Sequence, residues 1–92
     1  MKVVWKHRLA LEAAPQKFVM LGRAKFVHVD QQDGKPTLWY LVDPETPVRE
    51  ERIFQVFGTG DESVPDDATY LGTIKHGWFV GHIFELPVPD EG

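Results

Sequence analysis

Residues 50–60 (EERIFQVFGTG) alternate apolar side chains with other residues and then stop at a Gly-x-Gly turn. This pattern predicts a β-strand that ends abruptly. In a strand, Phe54 and Val56 point to one face, and Ile53 and Phe57 point to the other. Because a strand that is apolar on both faces must be covered on both, we expect this strand at the centre of a small sheet.

Residues 24–43 carry the clearest hairpin pattern. Asp33-Gly34 lies between two apolar runs and suits a type I′ turn, in which both central residues take positive φ. A two-residue turn there pairs His28 with Trp39 and Val27 with Tyr40. One face of this hairpin is then expected to join the core; it carries Val27, Val29, Leu38, Tyr40 and Val42.

A second hairpin is predicted over residues 69–86, with His76-Gly77 as its two-residue turn. In that register Gly72 faces Gly81, which leaves a gap in the sheet surface. Two interpretations of the gap stay open. It could admit a small ligand, or a core aromatic such as Phe57 or Trp39 could fill it.

The composition supports a packed β domain. The 92 residues are 42% hydrophobic, and the chain has no cysteine, so a disulfide framework is excluded. We expect one all-β domain over residues 1–86, a strongly twisted antiparallel barrel or sandwich of six or seven strands built from hairpins. Prolines in residues 87–92 predict a loose C-terminal tail. A homo-oligomer would cover surplus apolar surface on such a domain.

The charge distribution is uneven. The net charge is −4, but residues 1–25 hold six basic side chains against Glu12 alone, and the acidic side chains concentrate after them. The run Trp5-Lys6-His7-Arg8 resembles a surface that stacks and neutralises nucleic acid. The overall acidity argues against that partner, and lysines on an edge strand also discourage aggregation. With no apolar leader and no membrane-spanning run, we expect a cytoplasmic protein without a membrane partner.

The residues that usually perform catalysis are sparse. The four histidines show no His-x-x-x-His spacing, and without cysteine a zinc site is not expected. There is no Gly-x-Ser-x-Gly elbow, and the one serine, Ser63, lies in an acidic stretch with no histidine nearby in sequence. We therefore predict a protein that is not an enzyme, with no catalytic residue, no metal and no cofactor.

Several motifs occur together in one order. They are LWYLVDP at 38–44, ERIF at 51–54, FGTG at 57–60, PDD at 65–67, YLGT at 70–73 and HIFE at 82–85. In this combination the chain resembles a family of small proteins of unassigned function that bacteriophages and prophages encode, over about residues 16–86. The resemblance implies a host bacterial cytoplasm as the setting. Small phage proteins often counter host defence, so the resemblance also implies a counter-defence role, inferred from this genomic setting.

The leading functional hypothesis is a phage-encoded binding protein that sequesters a small nucleotide-like signal. Stacking and polar contacts are expected from Trp39 and His28, with glycine turns and strand-end side chains contributing the rest. The predicted ligand-binding residues are His28, Trp39, Arg52, Gly58, Thr59, Gly60, Gly72 and His82.

Two alternatives belong to other classes. In the first, the protein masks a host protein through its acidic loop, which holds Asp61, Glu62, Asp66 and Asp67. In the second, it is a small virion or assembly component.

Overall fold

The computed structural model describes residues 1–89, and in them the chain forms seven β-strands and no helix. All strand pairs are antiparallel. The all-β prediction is therefore confirmed, with seven strands. They are β1 (Val3–Arg8), β2 (Gln16–Leu21), β3 (Lys25–Gln32), β4 (Lys35–Val42), β5 (Arg49–Gly58), β6 (Thr69–His76) and β7 (Phe79–Leu86).

The strands form two sheets. One has the order β1-β4-β3, and the other has the order β2-β5-β7-β6. The core lies between them and is made of side chains from both sheets. Its buried members are Leu9, Met20, Leu21, Ala24, Leu38, Tyr40, Val42, Phe54, Val56, Ile74 and Ile83. This is the arrangement of a sandwich that approaches a flattened barrel.

Strand β5 has the position that its two apolar faces predict. It lies between β2 and β7, in the interior of the four-stranded sheet. Phe54 and Val56 are buried in the core, while Ile53 and Phe57 are buried outside the core cluster, as the alternation along the strand requires. On that outer face the Phe57 ring packs edge-on against Phe84, with 5.6 Å between the centroids.

The first hairpin forms at Asp33-Gly34. Both residues have positive φ, 53° and 77°, as a type I′ turn requires. His28 faces Trp39 as predicted. The predicted pairing of Val27 with Tyr40 is wrong, because a bulge between Phe26 and His28 shifts the register. As a result Phe26 packs against the core and Val27 is exposed.

The second hairpin has a different turn from the one predicted. His76 pairs with Phe79, so Gly77-Trp78 forms the two-residue turn. Gly77 has a φ of 61° and Trp78 does not have positive φ, which matches a type II′ turn with glycine first. The prediction of a His76-Gly77 turn was therefore wrong by one residue.

The predicted glycine gap is also wrong. With the turn at Gly77-Trp78 and a bulge between Tyr70 and Gly72, Gly72 faces Ile83 and Gly81 faces Ile74. Neither position is empty. A Cβ placed on Gly72 would lie 2.6 Å from Cβ of Val29 in β3, so a valine from the other sheet occupies the space, rather than Phe57 or Trp39.

The two sheets meet where β3 lies beside β6. These strands are edge strands of their own sheets, and each carries one of the two bulges. Bulges bend a strand and increase its twist, which brings the two edges together. Gly72 permits the close approach of Val29, and the His76 ring reaches Gly34 at the other end of the joint.

At the C-terminus, residues 87–89 of the predicted loose tail have no strand, and residues 90–92 of that prediction lie outside the described residues. Across residues 1–89 the structure has no helix of the length and apolarity that a membrane crossing requires.

Candidate functional site

An open cleft of about 390 Å³ lies where the β1–β2 connection, the turn after β5 and the β6–β7 turn come together. Its lining is mainly apolar. Val56 belongs to both the lining and the core cluster, so the cleft reaches the edge of the core. The lining residues are Leu11, Glu12, Ala13, Val56, Gly58, Asp61, Trp78 and Phe79.

Trp78 is the most exposed large apolar side chain of the described residues, with 95% of its surface in contact with solvent. It has this position because it is the second residue of the β6–β7 turn, where neither sheet covers it. A neighbouring hollow of about 250 Å³ is lined by Gly58, Thr59, Trp78, Phe79 and Val80. The indole therefore borders two adjacent concave surfaces that share Gly58 and Phe79.

The turn after β5 forms one wall of the cleft. Gly60 has a φ of 90°, and the Asp61 amide donates to the Gly58 carbonyl oxygen at 3.2 Å. Thr59 Oγ1 and His82 Nε2 share a hydrogen bond of 2.8 Å. This bond fixes the turn to β7.

A chain of hydrogen bonds continues from His82 away from the turn. His82 Nδ1 and Thr73 Oγ1 are 3.0 Å apart, and Thr73 Oγ1 and the Tyr70 hydroxyl are 2.6 Å apart. Both ring nitrogens of His82 are therefore occupied. Within residues 1–89 the hydrogen-bond partners of His82 are uncharged hydroxyl groups, so His82 holds the wall of the cleft in place and has no carboxylate among these residues to activate it as a base.

The rim of the cleft is acidic. Glu12 and Asp61 both line it, and none of the basic side chains in residues 1–89 does. The Ser63 hydroxyl and the Ser63 amide both donate to Oδ1 of Asp61, at 2.6 and 2.8 Å, and these hydrogen bonds lower the pKa of the Asp61 carboxyl below its usual value. Asp61 therefore stays negatively charged across the physiological pH range. The loop that follows adds Glu62, Asp66 and Asp67, all exposed.

The structure divides the predicted ligand-binding residues. It brings Gly58, Thr59 and Gly60 together with His82 beside the cleft. His28 and Trp39 pack against each other, with 5.6 Å between ring centroids, but they belong to the three-stranded sheet, on the face opposite the core. Gly72 lies in the joint against Val29.

Arg52 is held by other protein groups. Its guanidinium makes two hydrogen bonds to the Glu85 carboxylate, of 2.6 and 2.7 Å, and a third to the Ala24 carbonyl oxygen at 2.8 Å. It also lies over the Phe26 ring, 4.7 Å from the centroid. Arg52 is six residues from Gly58 along β5, roughly 20 Å at the rise of a strand. It connects β5 and β7 to β3 and does not reach the cleft.

Sequence analysis missed Trp78 and Leu11 as site residues. Both are large apolar side chains that the structure leaves exposed. The signal for Trp78 was available, because a tryptophan directly after His76-Gly77 becomes a turn residue if the turn moves by one position. Leu11 had no comparable signal, because the short run Leu-Glu-Ala-Ala-Pro at residues 11–15 has neither strand alternation nor a hairpin turn. In residues 1–89 no group of three or more His, Asp or Glu side chains is placed to hold a metal ion.

The family model described as "Domain of unknown function (DUF7352)" matches residues 1–92. No curated protein and no solved structure is significantly similar to the chain.

Proposed function

The chain belongs to the DUF7352 family of domains of unknown function, so we propose a function from the cleft itself: the protein binds a partner polypeptide through an apolar and basic segment of that partner. The observation that carries the proposal is the pairing of a fully exposed tryptophan with an apolar cleft whose rim is acidic.

Apolar burial supplies the first part of the binding energy. Trp78, Phe79 and Leu11 present a concave apolar surface, and exposed apolar surface of this kind marks binding sites. Tryptophan is among the residues that most often dominate an interface, because its large ring buries much surface at low entropic cost. Two or three apolar side chains of a partner would fit a cleft of about 390 Å³.

Charge determines which apolar ligand fits. Glu12 and Asp61 at the rim favour a cationic group and oppose a phosphate. A lysine or arginine beside the partner's apolar side chains would also stack on the face of Trp78. The cleft therefore supports the alternative in which the protein masks a host protein through its acidic loop.

The test is selection from a random peptide library on the immobilised protein, followed by fluorescence anisotropy with a labelled consensus peptide. We expect the selected peptides to combine Lys or Arg with large apolar residues. Trp78→Ser should weaken binding by about 30-fold or more, the effect of losing a dominant interface residue. Asp61→Asn should weaken it by several-fold, with a smaller loss at high salt.

Two matched controls separate the cleft from the rest of the surface. Val19→Ser removes an exposed apolar side chain on β2, and Glu45→Gln removes an exposed carboxylate in the β4–β5 loop. Both should leave the peptide affinity unchanged. Selection of acidic peptides, or equal affinity for Trp78→Ser and the unmodified protein, would show that the cleft does not have this function.

A further inference from the structure

The outer face of the three-stranded sheet is independent of the cleft and has the opposite charge. Strand pairing sets its side chains in rows. Lys6, Trp39 and His28 form one row across β1, β4 and β3, and Val4, Leu41 and Lys25 form the next. Leu38, Tyr40 and Val42 alternate with Trp39 and Leu41 and are buried in the core, so the rows face away from it.

At the end of this face there is a pocket of about 220 Å³ between β4 and the β2–β3 turn. Three basic side chains and one acidic side chain line it, so its formal charge is positive. The Asp43 carboxylate also accepts a hydrogen bond from the Glu45 amide, which fixes it in its own loop. The charged lining residues are Lys2, Arg23, Lys25 and Asp43.

The backbone gives this pocket a fixed shape. Arg23 has a φ of 64°, a conformation that non-glycine residues rarely adopt. The turn is nevertheless held on both sides: the Gly22 amide donates to the Val48 carbonyl oxygen at 2.8 Å, and the Arg23 amide donates to the Glu50 carboxylate at 3.2 Å. These two hydrogen bonds from the backbone amides of Gly22 and Arg23 hold the turn that carries Arg23 beside the pocket.

The basic side chains around the pocket have no acidic partner within residues 1–89. Elsewhere in residues 1–89, Arg8, Lys17 and Arg52 form ion pairs with Asp33, Glu51 and Glu85. The side chains of Lys2, Arg23 and Lys25 make no ion pair or hydrogen bond within those described residues. Unpaired basic groups around a concave surface are the arrangement that binds an oxyanion such as phosphate.

We infer that this face binds a nucleotide, with the phosphate in the pocket of Lys2, Arg23 and Lys25 and the base on Trp39. The aromatic group and the pocket are close enough for one ligand. Leu41 lines the pocket, and Trp39 lies two residues away on the same face, about 7 Å at the rise of a strand. His28 packs against one side of the indole and Lys6 lies across from it, so the ring has fixed neighbours.

The nucleotide can be free or part of a single strand, since both present a phosphate beside an aromatic base. Isothermal titration at about 50 mM salt, a concentration at which phosphate contacts are strong, compares four probes. They are adenosine 5′-monophosphate, adenosine, inorganic phosphate and octathymidylate. We expect the mononucleotide to bind more tightly than adenosine or phosphate alone.

Variants assign the two parts of the site. Lys25→Gln and Arg23→Gln should each weaken nucleotide binding by roughly tenfold, the effect of a charge-assisted hydrogen bond. Trp39→Leu should weaken it by roughly 5- to 100-fold through lost stacking, while leaving the affinity for inorganic phosphate unchanged. Lys75→Gln removes an exposed lysine from β6 and serves as the matched control.

The outcomes separate the sources and can overturn the inference. Tighter binding of octathymidylate with a steep salt dependence supports a strand as the ligand, and equal or weaker binding supports a free nucleotide. If neither the mononucleotide nor octathymidylate binds the folded protein, or if Lys75→Gln weakens binding as much as Lys25→Gln, the inference is wrong. Trp78→Ser should not change any of these affinities, because Trp78 lies at the cleft. A negative result for nucleotide binding is therefore distinguishable from a negative result for peptide binding at the cleft.

Discussion

At the scale of single residues, buried polar groups in this protein have specific partners. In the described residues no buried side-chain nitrogen or oxygen lacks a hydrogen bond. Arg52 shows how this is achieved, because its guanidinium makes two hydrogen bonds to Glu85, one to Ala24, and covers the Phe26 ring. The pKa of Arg52 is raised chiefly by the hydrogen bonds to Glu85, so the guanidinium stays positively charged wherever the protein is folded.

Removing the Arg52 guanidinium should therefore destabilise the fold. The side chains of Arg52 and Glu85 are only 16% and 21% exposed, so Arg52→Met leaves a mostly buried carboxylate without its partner. We expect a loss of about 2–3 kcal/mol in the free energy of unfolding, somewhat less than for a fully buried pair. Urea denaturation measures it. Lys17→Met, which removes one partner of the exposed pair with Glu51, is the control and should cost less than about 1 kcal/mol.

His7 gives the protein a dependence on pH. It is half-buried, with its ring 3.8 Å from that of Phe18, and burial lowers the pKa of His7 below its usual value of 6.5. The unfolded chain therefore binds a proton at this site at a higher pH than the folded chain does. Because unfolding takes up that proton, the stability contribution is complete above pH 6.5 and is lost as the pH falls through the folded pKa.

The corresponding experiment compares urea unfolding at several pH values between about 7.5 and 5 for the unmodified protein and His7→Phe. We expect the free energy of unfolding to fall below pH 6.5 less steeply in His7→Phe, since the variant has no group to protonate there. Identical pH profiles for the two proteins would show that His7 does not contribute to the acid sensitivity.

At the scale of the secondary-structure elements, the fold depends on how β3 and β6 meet. Each is an edge strand with a bulge, and Val29 of β3 occupies the space that a side chain at Gly72 of β6 would need. Gly72 does not have positive φ, so its own backbone conformation does not require glycine. Glycine is required because Val29 on the neighbouring strand leaves no room for a side chain. The contact closes one side of the sandwich without backbone hydrogen bonds between the two strands.

Gly72→Ala should destabilise the protein by about 1–3 kcal/mol, because its Cβ would overlap Cβ of Val29 at 2.6 Å. Gly58→Ala is the control: its Cβ would meet the Phe79 ring at 3.9 Å, an ordinary contact. Thermal unfolding of Gly72→Ala, Val29→Gly, which removes the overlapping Cβ, and the double variant forms a cycle. The double variant should be more stable than the sum of the single losses predicts, and simple additivity would rule out a direct contact.

At the scale of the whole molecule, the two proposed sites lie in different sheets and attract opposite charges. The cleft lies at the turns after β5 and β6 and has an acidic rim. The proposed nucleotide site lies on the outer face of the three-stranded sheet of β1, β4 and β3, and its pocket is basic. A uniform surface potential could not serve both ligands, but exposed charges more than about 10 Å apart are largely screened from one another at ordinary salt. The net charge of −4 therefore says little about either site.

The two sites should bind independently. Trp78→Ser is expected to abolish most peptide binding and leave the nucleotide affinity within about twofold, and Lys25→Gln is expected to do the reverse, since neither residue contacts the other site. Titration of each ligand with the other at saturation tests the same point. A mutual effect larger than about fivefold would contradict this independence and reveal coupling between the two sheets.

The sequence by itself determined the features that depend on local pattern. The two apolar faces of residues 50–60 required a covered strand, and Asp33-Gly34 required a type I′ turn, because alternation and backbone φ are properties of neighbouring residues. It also showed the concentration of basic side chains in the first 25 residues. The separation of His28 and Trp39 from Thr59 and His82, which the sequence grouped as one site, is visible only in the structure.

Tertiary structure decided the rest. The bulges at Val27 and Leu71 and the turn at Gly77-Trp78 changed which side chains are exposed. Moving the turn by one residue hardly changes the local hydrophobic pattern, so that pattern does not distinguish the two turns. The packing of Val29 against Gly72 can select the observed register. That choice between registers is settled by contacts across the sandwich, and it is what leaves Trp78 exposed beside the cleft.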